Sequence, residues 1–425
     1  MLNRQQPPSY ATVSDLALPQ PKEMVLPNGL PMFILNAGLQ PLVRVELIFP
    51  AGTKHQSKAL VASATNALMR EGTTHRKAAA LSEALDFYGA YLEHETTSDH
   101  GSIILYSLNR HLANTLPLLV EIINEPAFEE DELELYRDQT YQRYLVRQER
   151  VNDLAGAHFQ EMLFGPENFY GRKTQAKDYA ALDRSSLVSF HAEHYLGGGA
   201  TVLVAGLVSD DETKILSEHL SRLIAYGGEK PKPQLIFSEP AIKQQRLEKA
   251  GALQHALRVG RPLFSKTHPD FPAMQVVNTL LGGYFGSRLM RNIREDKGYT
   301  YGIGSGVVSK LQHGFFYVST EVGAEVSEAA LEEVYAEMDR MRMEPVTQDE
   351  LDLVRNYLLG QFLRSVDGPF ALAQKFAAVH LYGLDNGYYD HYLSVIKNIT
   401  PEAIQALAER YFRREDLLEL VVGPK

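Results

Sequence analysis

Two side chains seven positions apart, Arg294 and Tyr301, are the pair in this sequence best suited to chemistry on a carbonyl. A guanidinium fork and a phenol hydroxyl are donors of the kind wanted where negative charge builds on oxygen. They lie in Gly282–Gly306, GGYFGSRLMRNIREDKGYTYGIGSG. Ser287 is a candidate helix cap, Leu289 and Ile293 share one face of the helix after it, and Gly298 is placed to end that helix. Tyr299, Tyr301 and Ile303 then alternate with smaller residues at strand period. The spacing predicts Arg294 in a helix's last turn and Tyr301 just inside the following strand, with both polar tips aimed at one point. A purely structural role stands beside this. Arginine near a helix C-terminus favours the dipole and can pair with Glu295, and tyrosine is common in strands. Gly282, Gly283 and Gly286 suit either a flexible substrate-sensing loop or a tight start to the helix.

Metal chemistry has fewer candidates. The chain has no cysteine, which excludes disulfides, thiolate metal sites and a cysteine nucleophile. His94, Glu95 and His100 fall in one hairpin, and His191, Glu193 and His194 fall near one helix end. Neither set has two histidines four apart on a helix, and both read as packed or solvated residues.

The 425 residues exceed one ordinary core, and 44% apolar with 22% charged residues is the balance of a soluble globular protein. A net charge of -11 argues against nucleic-acid binding and gives no membrane-surface patch. The polar, proline-rich residues 1–23 form an N-terminal arm without a signal peptide's apolar centre. A cytoplasmic protein is expected, or a periplasmic one if a signal segment has been trimmed. No run approaches the roughly 20 apolar residues of a membrane helix.

Periodicity divides the rest. Met24–Leu35 reads as a hairpin turning at Pro27-Asn28-Gly29, followed by a strand at Val43–Phe49 and helices at Ala59–Met69 and Lys77–Tyr88. Tyr91–Thr97 and Ser102–Leu108 form a second hairpin. Helices follow, including a long charged one from Asp131, then a buried strand at Ala200–Leu207. Residues 226–240, YGGEKPKPQLIFSEP, break the pattern and read as a stiff exposed linker. It separates units at 24–225 and 241–425. The second unit repeats the first. Asp349-Glu350-Leu351 answers Asp131-Glu132-Leu133, Arg410-Tyr411 answers His194-Tyr195, and Val421-Val422-Gly423 answers Val204-Ala205-Gly206, all at offsets of 216 to 218 residues. The fold class is α+β, two tandem homologous units, each an antiparallel sheet packed by helices.

That tandem unit, with Ser287-Arg288-Leu289, Arg294-Glu295, Gly298 and Tyr301, resembles the pitrilysin and mitochondrial processing peptidase family of zinc peptidases. The likeness runs from Met24 to Gly423. Active members carry His-x-x-Glu-His in the first helix of the first unit. Its histidines bind zinc, its glutamate is the general base, and a glutamate about 80 residues later completes the site. Anchored on Gly72-Thr73, the motif falls on Ser63-Ala64-Thr65-Asn66-Ala67. Ser63 and Ala67 replace the histidines, Asn66 replaces the base, and Arg143 stands near the third ligand.

These residue types cannot do that work, so no cofactor is expected on this chain. The resemblance implies a division of duties between two chains. A zinc-bearing homologous subunit would hold the metal, and Arg294 and Tyr301 would clamp the substrate carbonyl in a heterodimer acting on peptides. A homodimer is allowed in isolation. The alternatives are an inert scaffold or peptide-binding protein of the same fold, and a peptidase acting alone with a displaced metal site.

Overall fold

The structure is a computed structural model and describes residues 18–197, 199–224, 240 and 242–425. Most of the expected arm and almost all of the expected linker lie outside the described residues. The first unit runs β1 (Lys22–Val25), β2 (Pro31–Asn36), β3 (Leu42–Phe49), α1 (Val61–Leu68), α2 (Ala78–Phe87), β4 (Tyr91–Thr96) and β5 (Gly101–Leu108). It continues with α3 (Leu112–Asn124), α4 (Glu130–Gln148), α5 (Val151–Phe164), α6 (Ala176–Ala180), α7 (Arg184–His191), β6 (Thr201–Gly206) and α8 (Asp210–Leu220). The second unit runs β7 (Gln244–Glu248), β8 (Gln254–Leu263), α9 (Phe271–Asn278), β9 (Ile303–Ser309) and β10 (Gly314–Gly323). Then come α10 (Ser327–Met343), α11 (Gln348–Arg364), α12 (Pro369–His380), α13 (Gly387–Asn398), α14 (Pro401–Tyr411) and β11 (Leu418–Gly423).

The repeat is visible in the sheets. The first has the order β1-β2-β6-β3-β5-β4, the second β7-β11-β8-β10-β9. β6 lies antiparallel to β3 and parallel to β2, and β11 stands in the same way between β8 and β7. Each sheet is therefore antiparallel apart from one parallel pairing. That pairing arises because the last strand of each unit returns beside an early one, β6 beside β2 and β11 beside β7.

Local chemistry sets the boundaries. Ser209 accepts from the Asp211 and Glu212 amides while the Glu212 carboxylate accepts from the Ser209 amide, a reciprocal cap that starts α8. Thr347 and Thr400 cap α11 and α14 through the Glu350 and Ala403 amides. In β3, Val43, Val45, Leu47 and Phe49 face the first core. On the other face Arg44 and Glu46 are also buried, as an ion pair of 2.8 Å.

The reason for that second buried face is an exchange of helices. Phe376 and Ala373 of α12, from the second unit, pack on Phe33, Leu35, Leu203 and Ala205 of the first sheet. Phe159 and Leu163 of α5, from the first unit, pack with Phe315, Leu418 and Leu420 of the second. Val151 and Pro369 open these two helices at the same offset as the other repeats, 218 residues (369 − 151). Each unit covers the outer face of its counterpart's sheet. A second tie joins the hairpins. Asp99, between β4 and β5, accepts from Lys54 at 3.0 Å, Tyr170 at 2.7 Å and the Leu311 amide between β9 and β10 at 3.1 Å. No helix among the described residues is long and apolar enough to cross a membrane.

Candidate functional site

The segment around Arg294 folds differently in detail from its sequence pattern. Ser287 does not cap. It is fully buried and its hydroxyl has no partner among the described residues. After a short start, Met290–Asp296 is wound wide, with the Lys297 amide donating to the Asn292 carbonyl five residues back. Asn292 fixes this turn to α10 through Glu333 and Glu337, at 2.8 and 2.7 Å. Arg288 fixes it to the start of α11 by two bonds to Glu350, at 2.8 and 2.7 Å. Gly298 then reverses the chain at φ +66°, a conformation that costs little without a Cβ. β9 starts at Ile303, so Tyr301 lies two residues before the strand and not inside it. Its loop is held by Thr300, whose hydroxyl donates to the Glu321 carbonyl at 2.7 Å and accepts from Thr320 at 2.9 Å.

Arg294 and Tyr301 are nevertheless brought together. The guanidinium carbon lies 5.8 Å from the centre of the Tyr301 ring. It lies closer, at 4.5 Å, to Phe285, which the sequence reading did not single out. Arg294 is thus associated with two aromatic rings, and among the described residues it has no carboxylate partner, Glu295 included. Phe285 is 64% exposed and Tyr301 94% exposed. The signal for Phe285 was its place nine residues before the arginine, which carries no periodic meaning across an irregular turn. Gly282 and Gly283 end the wide turn Thr279–Gly283. A Cβ on Gly282 would lie 2.6 Å from the Ser305 hydroxyl and 2.8 Å from its amide, so close approach of β9 requires glycine there. Gly286 packs on the Tyr284 ring.

Ser63, Ala67 and Arg143 line a single cleft of about 1270 Å³ between α1, β4, α4 and α5. The Ser63 hydroxyl donates to the Leu60 carbonyl at 3.0 Å and meets the Tyr136 hydroxyl, whose pKa is raised by burial despite these contacts. Ala67 offers only a methyl group. The Arg143 side chain is exposed and its Nε donates back to the Gln139 carbonyl at 3.4 Å. Asn66 does not face the cleft. It is buried against the sheet, donating to the Glu95 carbonyl at 2.6 Å, the Thr96 hydroxyl at 3.0 Å and the Ser102 carbonyl at 3.3 Å. A hydroxyl already committed to a carbonyl, a methyl and a cation do not fit a zinc ion. Arg294 and Tyr301 do not line this cleft.

The other histidine sets have structural partners. His191 is buried, bonds the Ile123 carbonyl at 2.7 Å and stacks on Tyr195, and burial lowers its pKa. His194 packs against Phe190 and His55. Burial also lowers the pKa of His94 and of His100, which contacts the Thr97 hydroxyl at 3.2 Å. Among the described residues no group of three or more His, Asp or Glu side chains is placed to hold a metal ion.

Comparison with known proteins agrees with this architecture. Residues 181–358 match the family described as "Peptidase M16 inactive domain". The chain is similar to the uncharacterized zinc protease YmxG of Bacillus subtilis, 20% identical over 94% of this chain and 98% of that one. It is also similar to an uncharacterized zinc protease of Mycobacterium leprae, 24% identical over 82% of this chain and 79% of that one. Among solved structures, the peptidase M16 inactive domain from Pseudomonas fluorescens superposes with a TM-score of 0.88, at 24% identity, over 95% of this chain and 98% of that one. A protease from Helicobacter pylori superposes at 0.86, with 18% identity, over 96% of this chain and 100% of that one. The chain is thus similar to M16 peptidases in fold along its length and matches their inactive-domain model over residues 181–358.

Proposed function

We propose that this chain is the non-zinc-binding subunit of a two-chain M16-type metallopeptidase, supplying Arg294 and Tyr301 as a clamp for the substrate carbonyl. The partner would hold the zinc ion. The observation that carries this reading is the exposure of Tyr301 on a loop held by Thr300 and Thr320, beside a guanidinium with no carboxylate partner among the described residues. Two exposed rings and a half-buried arginine without a carboxylate partner among the described residues gain little for this chain alone, and they are residue types favoured at interfaces. Ser63, Ala67 and Arg143 at the expected metal positions support the same reading, because these side chains are unsuited to zinc while the donor pair is kept. The substrate would lie extended along a sheet edge, as in strand addition, and β4 is an edge strand of the first sheet. The pair is proposed to act in the cytoplasm.

Co-expression with a homologous chain bearing His-x-x-Glu-His tests this. The two should co-purify, and the pair should cleave a quenched peptide in a zinc-dependent, chelator-sensitive way while this chain alone does not. Cleavage by this chain alone, abolished by chelator, would overturn the proposal. A stable pair with no peptidase activity under any metal condition would favour the second reading, a scaffold or peptide-binding protein of the same fold, in which exposure of Tyr301 and Phe285 serves docking only.

A further inference from the structure

The cleft at the vacated metal positions carries an excess of positive charge that the clamp does not use. Arg143, Arg147, Arg150 and Arg172 line it, and none of them has an ion-pair partner among the described residues, whereas the carboxylates lining it are those of Glu95 and Asp153. Two further cations are already engaged, Lys173 with Glu161 at 2.6 Å and the buried Arg258 with the Asn152 carbonyl at 3.2 Å. This local sign is opposite to that of the whole chain, whose net charge is -11. Arginine near a helix C-terminus is stabilised by the dipole, which accounts for Arg147 in the last turn of α4. It does not account for Arg150, between α4 and α5, or for Arg172, in the segment before α6. Arg143 and Arg147 are one turn apart on one helix face, where like charges repel.

Size and lining indicate the occupant. About 1270 Å³ exceeds the usual range of small-molecule pockets, so a single phosphate or carboxylate would leave most of the space open. Tyr144 and Tyr179, with ring centres 5.3 Å apart, give the same wall apolar faces. We propose that this cleft binds an acidic, extended peptide segment whose carboxylates are received by Arg143, Arg147, Arg150 and Arg172. The chain would then select peptides by charge at the place where its active relatives hold metal. The inference concerns this chain alone and does not depend on the clamp, since no partner residue is invoked.

The test uses the isolated full-length chain and fluorescence anisotropy. The probes are a short labelled peptide of alternating glutamate and serine, its glutamine analogue, and labelled oligothymidylate. The acidic peptide should bind, weaken as salt is raised, and bind at least about tenfold more tightly than the glutamine analogue, the scale of one charge-assisted hydrogen bond. The double substitution Arg143→Gln/Arg147→Gln should weaken it by about tenfold or more. Arg150→Gln/Arg172→Gln should do the same, and serves if the α4 variant fails to fold. Equal binding of the two peptides, no binding of either, unchanged affinity in both double variants, or a preference for oligothymidylate would each overturn the proposal. None of these outcomes bears on turnover by a reconstituted pair, so the clamp stands or falls separately.

Discussion

Tyr301 leaves 94% of its surface in solvent, yet its loop is fixed by two threonine hydroxyls and a reversed glycine. A fixed exposed ring is prepared for contact rather than for packing. Arg294 beside it is half-buried, and Phe285 underlies it at 4.5 Å. We expect Arg294→Ala to lower turnover of the assembled pair by about a hundred- to a thousandfold, the scale of one carbonyl-stabilising donor, with pairing unchanged in gel filtration. Under the proposed clamp, Phe285 would act through Arg294 as a positioning residue. An exposed cation–ring contact contributes roughly 0.5–1 kcal/mol, so Phe285→Ala should lower kcat a few-fold and Phe285→Tyr should restore it. Asn66 has a different role from the one its place in the motif suggested. Its amide ties α1 to the Glu95 and Ser102 carbonyls. Asn66→Ala would leave those acceptors unpaired, and roughly 1–3 kcal/mol of stability should be lost in a urea titration. Residue types showed that Ser63, Ala67 and Arg143 cannot bind zinc. They could not show that Asn66 turns away from them, because helical spacing gives a direction and not a partner.

At the scale of elements, periodicity and caps located most of the first unit. The hairpin at Asn28-Gly29, the strand at Val43–Phe49 and the helix before Gly89 all lie close to where they were read. The segment around Arg294 was less legible. Leu289 and Ile293 fit an ordinary helix, but the widened turn from Met290 shifts the following register, so β9 begins four residues after Tyr299. The Asn292 contacts with α10 that accompany this turn come from residues about 40 positions away, beyond the reach of local pattern. The junction at Asp99 was equally hidden, since its partners come from three separate stretches. Burial opposes ionisation of Asp99, but Lys54, the Leu311 amide and Tyr170 outweigh it and hold its pKa below the ordinary carboxylate value. A depressed folded pKa gives stability that is full above the unfolded value of about 4 and is lost as pH falls through the folded value. Asp99→Asn should therefore cost roughly 3 kcal/mol at neutral pH in chemical denaturation, with the gap to the native chain narrowing in acid below pH of about 4. A gap that stayed constant with pH would place the cost in packing instead.

The whole molecule is two copies of one unit that complete each other. The offsets near 217 residues were legible because landmarks recur in order; the exchange of α5 and α12 was not, because both helices are apolar on faces that either unit could bury. The exchange has a thermodynamic consequence. Without α12, the first sheet would expose Phe33, Leu35 and Leu203, so the first unit expressed alone should aggregate or remain unfolded. The full chain should melt in one calorimetric transition, and Phe376→Ala should lower its stability by roughly 3–5 kcal/mol without splitting that transition. Two resolved transitions would show that the units are independent. A rigid double unit is also what a two-chain peptidase needs, because it holds Tyr301 at a fixed place for a partner to meet. The most direct measurement is the turnover number of the reconstituted pair carrying Tyr301→Phe, at matched assembly and zinc content. Removal of one hydroxyl should lower it by about a hundredfold or more. An undiminished rate in a fully assembled, zinc-loaded pair would contradict the division of labour between the ion of one chain and the phenol of the other.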